Sequence, residues 1–176
     1  DQILVARRND VIPYVEAVIE GVKDENAEVF ETPKECPECS SLLERDGAYL
    51  ICPNTLGCPA QVSGAIKRWV DKLGLKFFGE TMVNTLCDQG HLKGIADLYR
   101  LDEAHVASLE MNGRKIGSSS ERGFKSLRAN MDLPLHNFVG SLGIPLIGRS
   151  MAKTIVDGGY DTLDKLLAAT VSDLAA

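Results

Sequence analysis

The fold of this chain is organised by two cysteine pairs, Cys36-Pro37-Glu38-Cys39 and, twelve residues later, Cys52-Pro53-Asn54-Thr55-Leu56-Gly57-Cys58. Each pair is short enough to lie on one turn, so four thiolates can converge on one tetrahedral ion. Zinc suits all-sulfur ligation, and four protein ligands leave no position for a water molecule. The spacing therefore predicts a single structural zinc ion, bound by Cys36, Cys39, Cys52 and Cys58.

Other interpretations of the four cysteines remain open at this point. Another metal ion or a cluster could use the same ligands. A redox-active Cys-x-x-Cys usually begins a helix in a thioredoxin-like βαβ context, which the sequence does not indicate. Disulfides are disfavoured because nothing indicates secretion. Cys87, the fifth cysteine, falls on the apolar side of a predicted helix, which favours a buried structural thiol.

The residues around the cysteine pairs predict short strands. Between the pairs, Arg45-Asp46-Gly47 has the composition of a hairpin turn joining Leu42-Leu43 to Tyr49-Leu50-Ile51, the layout of a zinc ribbon. Upstream, residues 2–19 are rich in β-branched side chains, with an Asn9-Asp10 turn signal. They predict two strands of a small β unit whose other strands are absent.

The chain after the second pair is predicted to be helical, because its apolar residues recur at helical spacing. Asp102 and either Asp161 or Thr162 are placed as N-caps. The apolar positions are Val62, Ala65, Ile66, Trp69, Val70 and Leu73, then Met82, Val83, Leu86 and Cys87, then Phe124 and Leu127, then Leu135, Phe138, Val139 and Leu142, then Met151, Ala152, Ile155 and Val156, then Leu163, Leu166 and Leu167.

Three of the predicted helix pairs, within residues 75–81, 109–119 and 142–150, have a glycine-containing turn before the second helix. Glycine permits a positive φ, and the first turn of the next helix presents unpaired N–H groups that suit a phosphate. Any one such glycine is equally well explained as a helix C-cap. Three in succession beside a zinc module favour binding to the DNA backbone without sequence readout.

Composition places limits on these interpretations. The 176 residues are 44% hydrophobic and carry a net charge of −6, which by itself argues against a nucleic-acid partner. However, residues 62–130 hold 11 basic and 8 acidic side chains, whereas residues 1–35 hold 4 and 9. No apolar run is long enough for a membrane span, and no signal segment opens the chain, so we expect a cytoplasmic protein without a membrane partner. The chain starts without Met, and we interpret it as a piece of a longer protein.

Several stretches, taken in order, resemble one family: Val5-Ala6-Arg7-Arg8-Asn9-Asp10-Val11-Ile12-Pro13, the cysteine pairs with Cys58-Pro59-Ala60-Gln61, Ala96-Asp97-Leu98-Tyr99-Arg100-Leu101, and Ser141-Leu142-Gly143-Ile144 with Gly148. They are similar to parts of bacterial NAD-dependent DNA ligases. The resemblance implies a mainly α fold after a small β remnant. Its parts would be the end of an OB domain (1–23), an acidic linker (24–35), a four-cysteine zinc finger or ribbon (36–61) and an all-α helix-hairpin-helix domain (62–176) truncated before its fourth hairpin.

The resemblance also implies a division of labour. In such ligases an N-terminal domain transfers AMP from NAD to a lysine, with Mg, and then to the 5′-phosphate of a nick during replication and repair. The OB, finger and hairpin domains clamp the nicked double-stranded DNA, and a BRCT domain usually follows. The Lys-x-Asp-Gly adenylation motif is absent here: Glu44-Arg45-Asp46-Gly47 and Ile155-Val156-Asp157-Gly158 lack the lysine. We therefore expect no catalytic residue, no NAD or Mg binding and no ligation by this chain alone.

Carried over by position, the DNA-contacting residues would be Arg7, Val11, Ile12, Gly79, Glu80, Thr81, Gly117, Ser118, Ser119, Gly148, Arg149 and Ser150. Three departures from the family pattern stand out. Phe77 stands where the first hairpin of the family often has glycine, which weakens the phosphate site there. Asn9 also stands where the family usually has glycine. An insertion makes Gly113 and Gly117 rivals in the second hairpin; we favour Gly117 because Ser118 and Ser119 can cap the next helix.

A second hypothesis is a zinc-stabilised scaffold that holds protein partners together without touching DNA. The net charge of −6 supports it. Only the DNA-binding hypothesis predicts that charge reversal at Lys67, Arg68, Arg114 and Lys115 lowers affinity for DNA. A third hypothesis, a redox protein, requires reactive thiols without a metal.

Overall fold

The computed structural model describes residues 2–9, 11–21, 26 and 28–174. The chain falls into two compact units, Asp1–Lys34 and Glu35–Ala176. Asp10 of the predicted turn, residues 24, 25 and 27 of the predicted linker, and the outermost residues of the first and last predicted domains (1, 22, 23, 175 and 176) lie outside the described residues.

The first unit contains the two predicted strands, β1 (Ile3–Arg8) and β2 (Ile12–Val18). They pair antiparallel, with Arg8 opposite Ile12 and an irregularity in register between Leu4 and Val5. Every residue of β2 is exposed, including its apolar ones. A two-stranded hairpin with uncovered apolar side chains is marginally stable by itself.

The second unit begins with the cysteine module, whose hairpin consists of β3 (Glu44–Asp46) and β4 (Tyr49–Ile51). Asp46 pairs with Tyr49, so the turn is Gly47-Ala48 and not the predicted Arg45-Asp46-Gly47. The predicted turn was wrong because it included Arg45 and Asp46, which belong to β3. The two-residue turn needs a positive φ, and Gly47 provides it at +59°. Leu42 bridges to Glu35 and does not extend the hairpin.

The longest helix, α1 (Pro59–Leu73), starts at the residue after Cys58. Proline is well placed at the first helical position, where its missing N–H costs no hydrogen bond. Gly74 ends the helix in the left-handed region, with φ +63°, and its N–H donates to the carbonyl of Asp71. On one side of α1, Ile66, Trp69 and Val70 are buried.

The remaining elements are short, and the mainly α fold is confirmed. They are α2 (Glu80–Asp88), a 3-10 helix (Ile95–Arg100), α3 (Glu103–Ser108), β5 (Glu110–Met111), β6 (Arg114–Lys115), α4 (Ser119–Ala129), α5 (Leu135–Ser141), α6 (Arg149–Asp157), α7 (Leu163–Ala168) and α8 (Val171–Leu174). The β5–β6 hairpin lies in the stretch of the second helix pair where an insertion was predicted. Asn112 and Gly113 form its turn, with φ of +52° and +73°.

The core is centred on Trp69 of α1, which is 1% exposed. Its ring packs edge-on against Tyr99 and Phe138, with centroid distances of 6.4 and 5.6 Å. Its Nε1–H donates to the Tyr99 hydroxyl over 3.0 Å, so the one polar atom of the indole has a partner. Around it lie Ile66, Val70, Leu75, Phe78, Met82, Val83, Leu86, Leu92, Leu98, Val106, Ile116, Phe124 and Leu127.

Most of the predicted apolar helix positions are buried or half-buried, but Met151 of α6 is 51% exposed and two leucines of α7 are also exposed. Leu163 and Leu167 are 48% and 76% exposed, because no other described element covers them.

The N-cap at Asp102 is confirmed, since its Oδ1 accepts the N–H of His105 over 2.7 Å. At α7 the N-cap is Thr162, and Asp161 instead pairs with the Lys165 ammonium.

One close helix contact in this unit involves Gly140 of α5, which the sequence did not single out. A Cβ at this position would lie 2.8 Å from both the Cα and the backbone N of Arg149, at the start of α6. Because these atoms belong to the backbone, they cannot rotate away as a flexible side chain would. Gly140 therefore allows α5 and the start of α6 to come into contact.

We predict that Gly140→Ala lowers the free energy of unfolding by about 1–3 kcal/mol, since the methyl group forces the two helices apart. Thermal unfolding followed by circular dichroism measures the change. Gly64→Ala is the matched control, because Gly64 lies in α1 and an added methyl group would meet no atom within 4 Å. That variant should gain about 0.5–1 kcal/mol from helix propensity. Equal stability of the two variants would contradict the close packing.

Candidate metal centre and nucleic-acid interface

The first cysteine pair lies on a turn held by backbone hydrogen bonds. The N–H of Cys36 donates to the carbonyl of Ser41, and the N–H of Ser40 donates to the carbonyl of Cys36, both over 2.8 Å. Ser40 has a φ of +55°, which bends the chain back after Cys39. The turn thereby directs both thiols of the pair to the same side.

The second pair is longer and is shaped by Asn54. Its side-chain Oδ1 accepts the N–H of Gly57, and its backbone carbonyl accepts the N–H of Cys58, both over 3.0 Å. The Asn54 amide also donates to the Ser41 hydroxyl over 3.4 Å, which connects the two turns. The five-residue spacing between Cys52 and Cys58 therefore produces a defined loop.

The four thiols meet at one place. The Sγ atoms of Cys36 and Cys58 are 3.9 Å apart, and those of Cys39 and Cys52 are 3.6 Å apart. All four sulfurs lie within 4.8 Å of one another. Tetrahedral zinc with Zn–S bonds of about 2.3 Å requires sulfurs separated by about 3.8 Å. The distances and the all-sulfur donor set therefore fit a structural zinc ion.

The surroundings shift the pKa values of two of the thiols in opposite directions. Hydrogen bonds with the side chain and the backbone of Ser41 lower the pKa of the Cys39 thiol to about 6. Burial raises the pKa of the Cys52 thiol to about 11, against a backbone hydrogen bond at Asn54. A bound cation offsets the repulsion among four ionised sulfurs, so metal binding and thiol deprotonation occur together.

Cys87 is not part of this cluster. It lies half-buried on α2, and burial raises the pKa of its thiol, as does the neighbouring Asp88 carboxylate. The three histidines, all within the described residues, do not belong to the cluster either. The rings of His91 and His105 pack edge to face with centroids 4.9 Å apart, a contact that their distance in the sequence does not reveal.

Two of the predicted DNA-contacting glycines are helix N-caps. Gly79 precedes α2 and Gly148 precedes α6. Glu80 in the first turn of α2 pairs with Lys67 of α1, with 3.1 Å between carboxylate and ammonium. The guanidinium of Arg149 donates to the carbonyl of Lys72 at the end of α1. Thr81 and Ser150 occupy the exposed second positions of α2 and α6.

The second hairpin differs from the expectation about its serines. Gly117, with a φ of +61°, precedes Ser118, the N-cap of α4. The Ser118 side chain makes no capping hydrogen bond, and the Ser119 hydroxyl donates back to the carbonyl of Ile116 over 2.6 Å. The capping role predicted for these two serines was therefore wrong. Gly113, the rival position, belongs to the β5–β6 turn.

Sequence reasoning missed a backbone feature that the first and third hairpins share. The residue two positions before each N-cap glycine has a positive φ: +75° at Phe77 and +65° at Leu146. A side chain in this region costs roughly 1–2 kcal/mol relative to glycine. This explains why a glycine at position 77 would be less strained. The Phe77 ring packs edge-on to Phe78, at 5.3 Å, and lies over Gly123 of α4.

The remaining predicted contact residues lie in the first unit. Arg7 is in β1, Ile12 begins β2, and Val11 lies between the strands. All three are exposed, Val11 to 78% and Ile12 to 61%.

The fold and the cysteine cluster define a class of protein: a four-cysteine zinc finger whose last ligand leads directly into a domain of helical hairpins. Residues 35–60 match the family model described as the NAD-dependent DNA ligase C4 zinc finger domain. Proteins named DNA ligase are similar to nearly the whole chain. That of Sorangium cellulosum is 37% identical over 99% of this chain, and that of Natronomonas pharaonis 38% identical over 100%. Residues 35–60 are thus similar to the C4 zinc finger domain of NAD-dependent DNA ligases, and the whole chain is similar to part of proteins named DNA ligase.

The chain spans about a quarter of the length of these relatives, 25% in both cases. The DNA ligase of Synechococcus sp. RCC307 is 38% identical over 88% of the chain and is covered to 23%. Among the described residues, no helix is both long enough and apolar enough to cross a membrane.

We predict that the chain contains one zinc ion and that Cys52→Ser removes it, because three thiolates and a hydroxyl hold zinc far less tightly. Without the ion the finger should unfold, since little apolar contact holds so small a module together. Atomic absorption gives the stoichiometry, and thermal unfolding gives the stability.

Cys87→Ser is the control, which should keep the zinc and lose about 1 kcal/mol for a half-buried thiol. Equal zinc content and equal stability in the two variants would refute the metal assignment. Metal-free protein with freely reactive thiols would support the redox alternative.

Proposed function

We propose that this chain grips the sugar-phosphate backbone of nicked duplex DNA, without sequence readout, as part of an NAD-dependent DNA ligase. The observation that supports this most directly is the repeated hairpin: α2, α4 and α6 each follow a tight turn that contains glycine. Homology to proteins named DNA ligase supports the same partner.

The first turns of two of these helices provide donors for phosphate. In α2 the first helical hydrogen bond is donated by the N–H of Val83 to the carbonyl of Gly79. In α6 it is donated by the N–H of Ala152 to the carbonyl of Gly148. The N–H groups of the residues between therefore point along the helix axis, where the positive end of the helix dipole favours an anion. An N-cap glycine allows close approach, because it has no side chain in front of these groups.

The charges around the hairpins fit this role. Arg114 and Lys115 lie exposed on β6, close in sequence to the start of α4. Glu80 is the one acidic residue among the proposed contacts. Its pairing with Lys67 offsets part of its charge, and its backbone N–H remains the group proposed to contact phosphate. Arg7, Val11 and Ile12 would contact the same duplex from the β1–β2 hairpin.

The chemistry of ligation would belong to another part of the ligase. The two sequences that approach Lys-x-Asp-Gly lie at the β3–β4 turn and the end of α6, and position 44 holds Glu while position 155 holds Ile. Neither residue can form a phosphoramidate with AMP. We therefore propose that NAD and Mg act in a separate adenylation domain, and that this chain, held together by zinc, positions the nick.

We expect the chain to bind nicked duplex more tightly than intact duplex or single strands, in fluorescence-anisotropy titrations at two salt concentrations. Affinity should fall steeply with salt, because each neutralised phosphate releases counterions. Binding that is independent of salt, or absent at low salt, would contradict backbone recognition by this chain.

Charge reversal at Arg114 and Lys115 should weaken DNA binding about tenfold or more and reduce its salt dependence, since up to two phosphate contacts are lost. The matched control reverses Lys93 and Arg100, which lie outside the three hairpins. If both double variants bind DNA like the parent chain, the scaffold hypothesis gains support. The exposed apolar side chains of α7 and α8, such as Leu167 and Val171, would then be the surface to test for a protein partner.

A further inference from the structure

Gln61 connects the start of α1 to the second cysteine pair. Its side-chain amide donates a hydrogen bond from Nε2 to the backbone carbonyl of Cys52 over 2.6 Å. The Gln61 side chain is half-buried, so water competes less for this bond than it would at the open surface. The bond therefore joins a residue of the helix directly to the peptide group of a metal ligand.

The usual reason for a glutamine at this position does not apply. Gln61 is the third residue of α1, where the oxygen of a glutamine side chain often accepts the N–H of the N-cap residue. Here the N-cap residue is Cys58, and its N–H already donates to the carbonyl of Asn54 over 3.0 Å. Gln61 instead uses its amide N–H on Cys52. The side chain thus serves the cysteine loop and not the end of the helix.

The contact requires a donor at position 61. A backbone carbonyl only accepts hydrogen bonds, so Gln61 must present its NH₂ group to Cys52. Burial raises the pKa of the Cys52 thiol, and a hydrogen bond from the Gln61 side chain is one of the contacts that oppose this rise. The same amide group therefore lies close to the sulfur of Cys52 as well as to its carbonyl.

Cys52 is placed where such a tether matters. It directly follows β4 and begins the loop to Cys58, and its thiol is half-exposed. Its Sγ lies 3.6 Å from that of Cys39, so a small rotation of the Cys52 backbone would change the spacing of the sulfurs. A hydrogen bond to the Cys52 carbonyl fixes the peptide plane next to its Cα, and thereby the direction of its side chain.

We propose that Gln61 is a positioning residue of the metal centre, whose amide holds the Cys52 thiol in place against the start of α1. Cys58, the other thiol of the pair, directly precedes α1 and is joined to it by a peptide bond. The helix therefore sets the separation of the two thiols, one through the chain and the other through Gln61. The inference concerns the metal centre and does not depend on whether the chain binds DNA.

The test compares Gln61→Met and Gln61→Glu with the parent chain. Both variants keep the length of the side chain and lose the N–H donor, and glutamate also adds a negative charge beside the thiolates. Zinc affinity, measured by competition with a chelator, should fall about tenfold for Gln61→Met, as expected when an outer partner of a ligand is lost. It should fall further for Gln61→Glu. Gln61→Lys restores an N–H donor and should retain most of the affinity.

Gln89→Met is the matched control. The Gln89 amide also donates to a backbone carbonyl, that of Glu110 over 3.2 Å, outside the cysteine cluster. This variant should bind zinc like the parent chain, even where thermal unfolding shows a small loss of stability. Equal zinc affinity in Gln61→Met and Gln89→Met would refute the proposal. Gln61→Lys binding zinc as weakly as Gln61→Met would refute the role of the donor.

A spectroscopic readout separates positioning of the thiol from general stability. Co²⁺ bound to thiolates gives sulfur-to-metal charge-transfer bands, and a hydrogen bond to sulfur moves such a band to higher energy. In the cobalt-loaded protein the band should therefore shift to longer wavelength in Gln61→Met and stay unchanged in Gln89→Met. If Gln61→Met lowers the unfolding temperature but leaves the zinc affinity and the cobalt spectrum as in the parent, Gln61 only stabilises the helix and the proposal is wrong.

Discussion

The structure of the second unit depends on the junction between Cys58 and α1. Cys58 is the last thiol of the cluster, and the next residue, Pro59, is the first residue of the helix. A metal ion on the thiol therefore also fixes the start of α1. The buried face of that helix includes Trp69, around which the core is packed. Metal ligation and hydrophobic packing are thus connected through a single helix, which explains how a finger with few apolar contacts has a defined place on the hairpins.

Small residues then determine how closely the helices approach. At Gly140 the start of α6 contacts the backbone of α5, and at Gly123 the helix α4 leaves room for the ring of Phe77. Both contacts act near the ends of turns, so they determine where those turns project. The positive φ at Phe77 and Leu146 follows from the same constraint, because each chain must reverse within a few residues and still begin a helix at the next glycine. The helices can pack this closely only because the turns that join them adopt a strained backbone.

Local signals in the sequence were sufficient for most of the helices and for the four cysteines of the cluster. Cysteine spacing predicted the cluster, apolar spacing predicted the helices, and Asp102 was predicted as an N-cap. Features that depend on contacts distant in sequence were not predictable in this way. The role of Gly140 depends on Arg149, and the fit of Phe77 depends on Gly123, so no window of local sequence contains either pair. The exposed face of α7 is a similar case, because helical spacing shows which side is apolar and not whether anything covers it. The β3–β4 turn was misplaced because residues typical of turns, such as Asp46, also occur in the strand next to the two residues that bend the chain.

The net charge of −6 is a smaller obstacle to DNA binding than its sign suggests. Exposed charges separated by more than about 8–10 Å are largely screened at physiological salt. What a phosphate experiences is therefore the local charge, which is positive over residues 62–130, where 11 basic side chains face 8 acidic ones. Residues 1–35, by contrast, hold 9 of the 25 acidic side chains and only 4 basic ones. On the proposed function this distribution has a physical consequence. A weakly cationic surface holds DNA loosely, so the backbone donors at helix starts contribute a larger share of the affinity. Such contacts depend on the shape of the duplex, whereas a strongly basic surface would bind any polyanion.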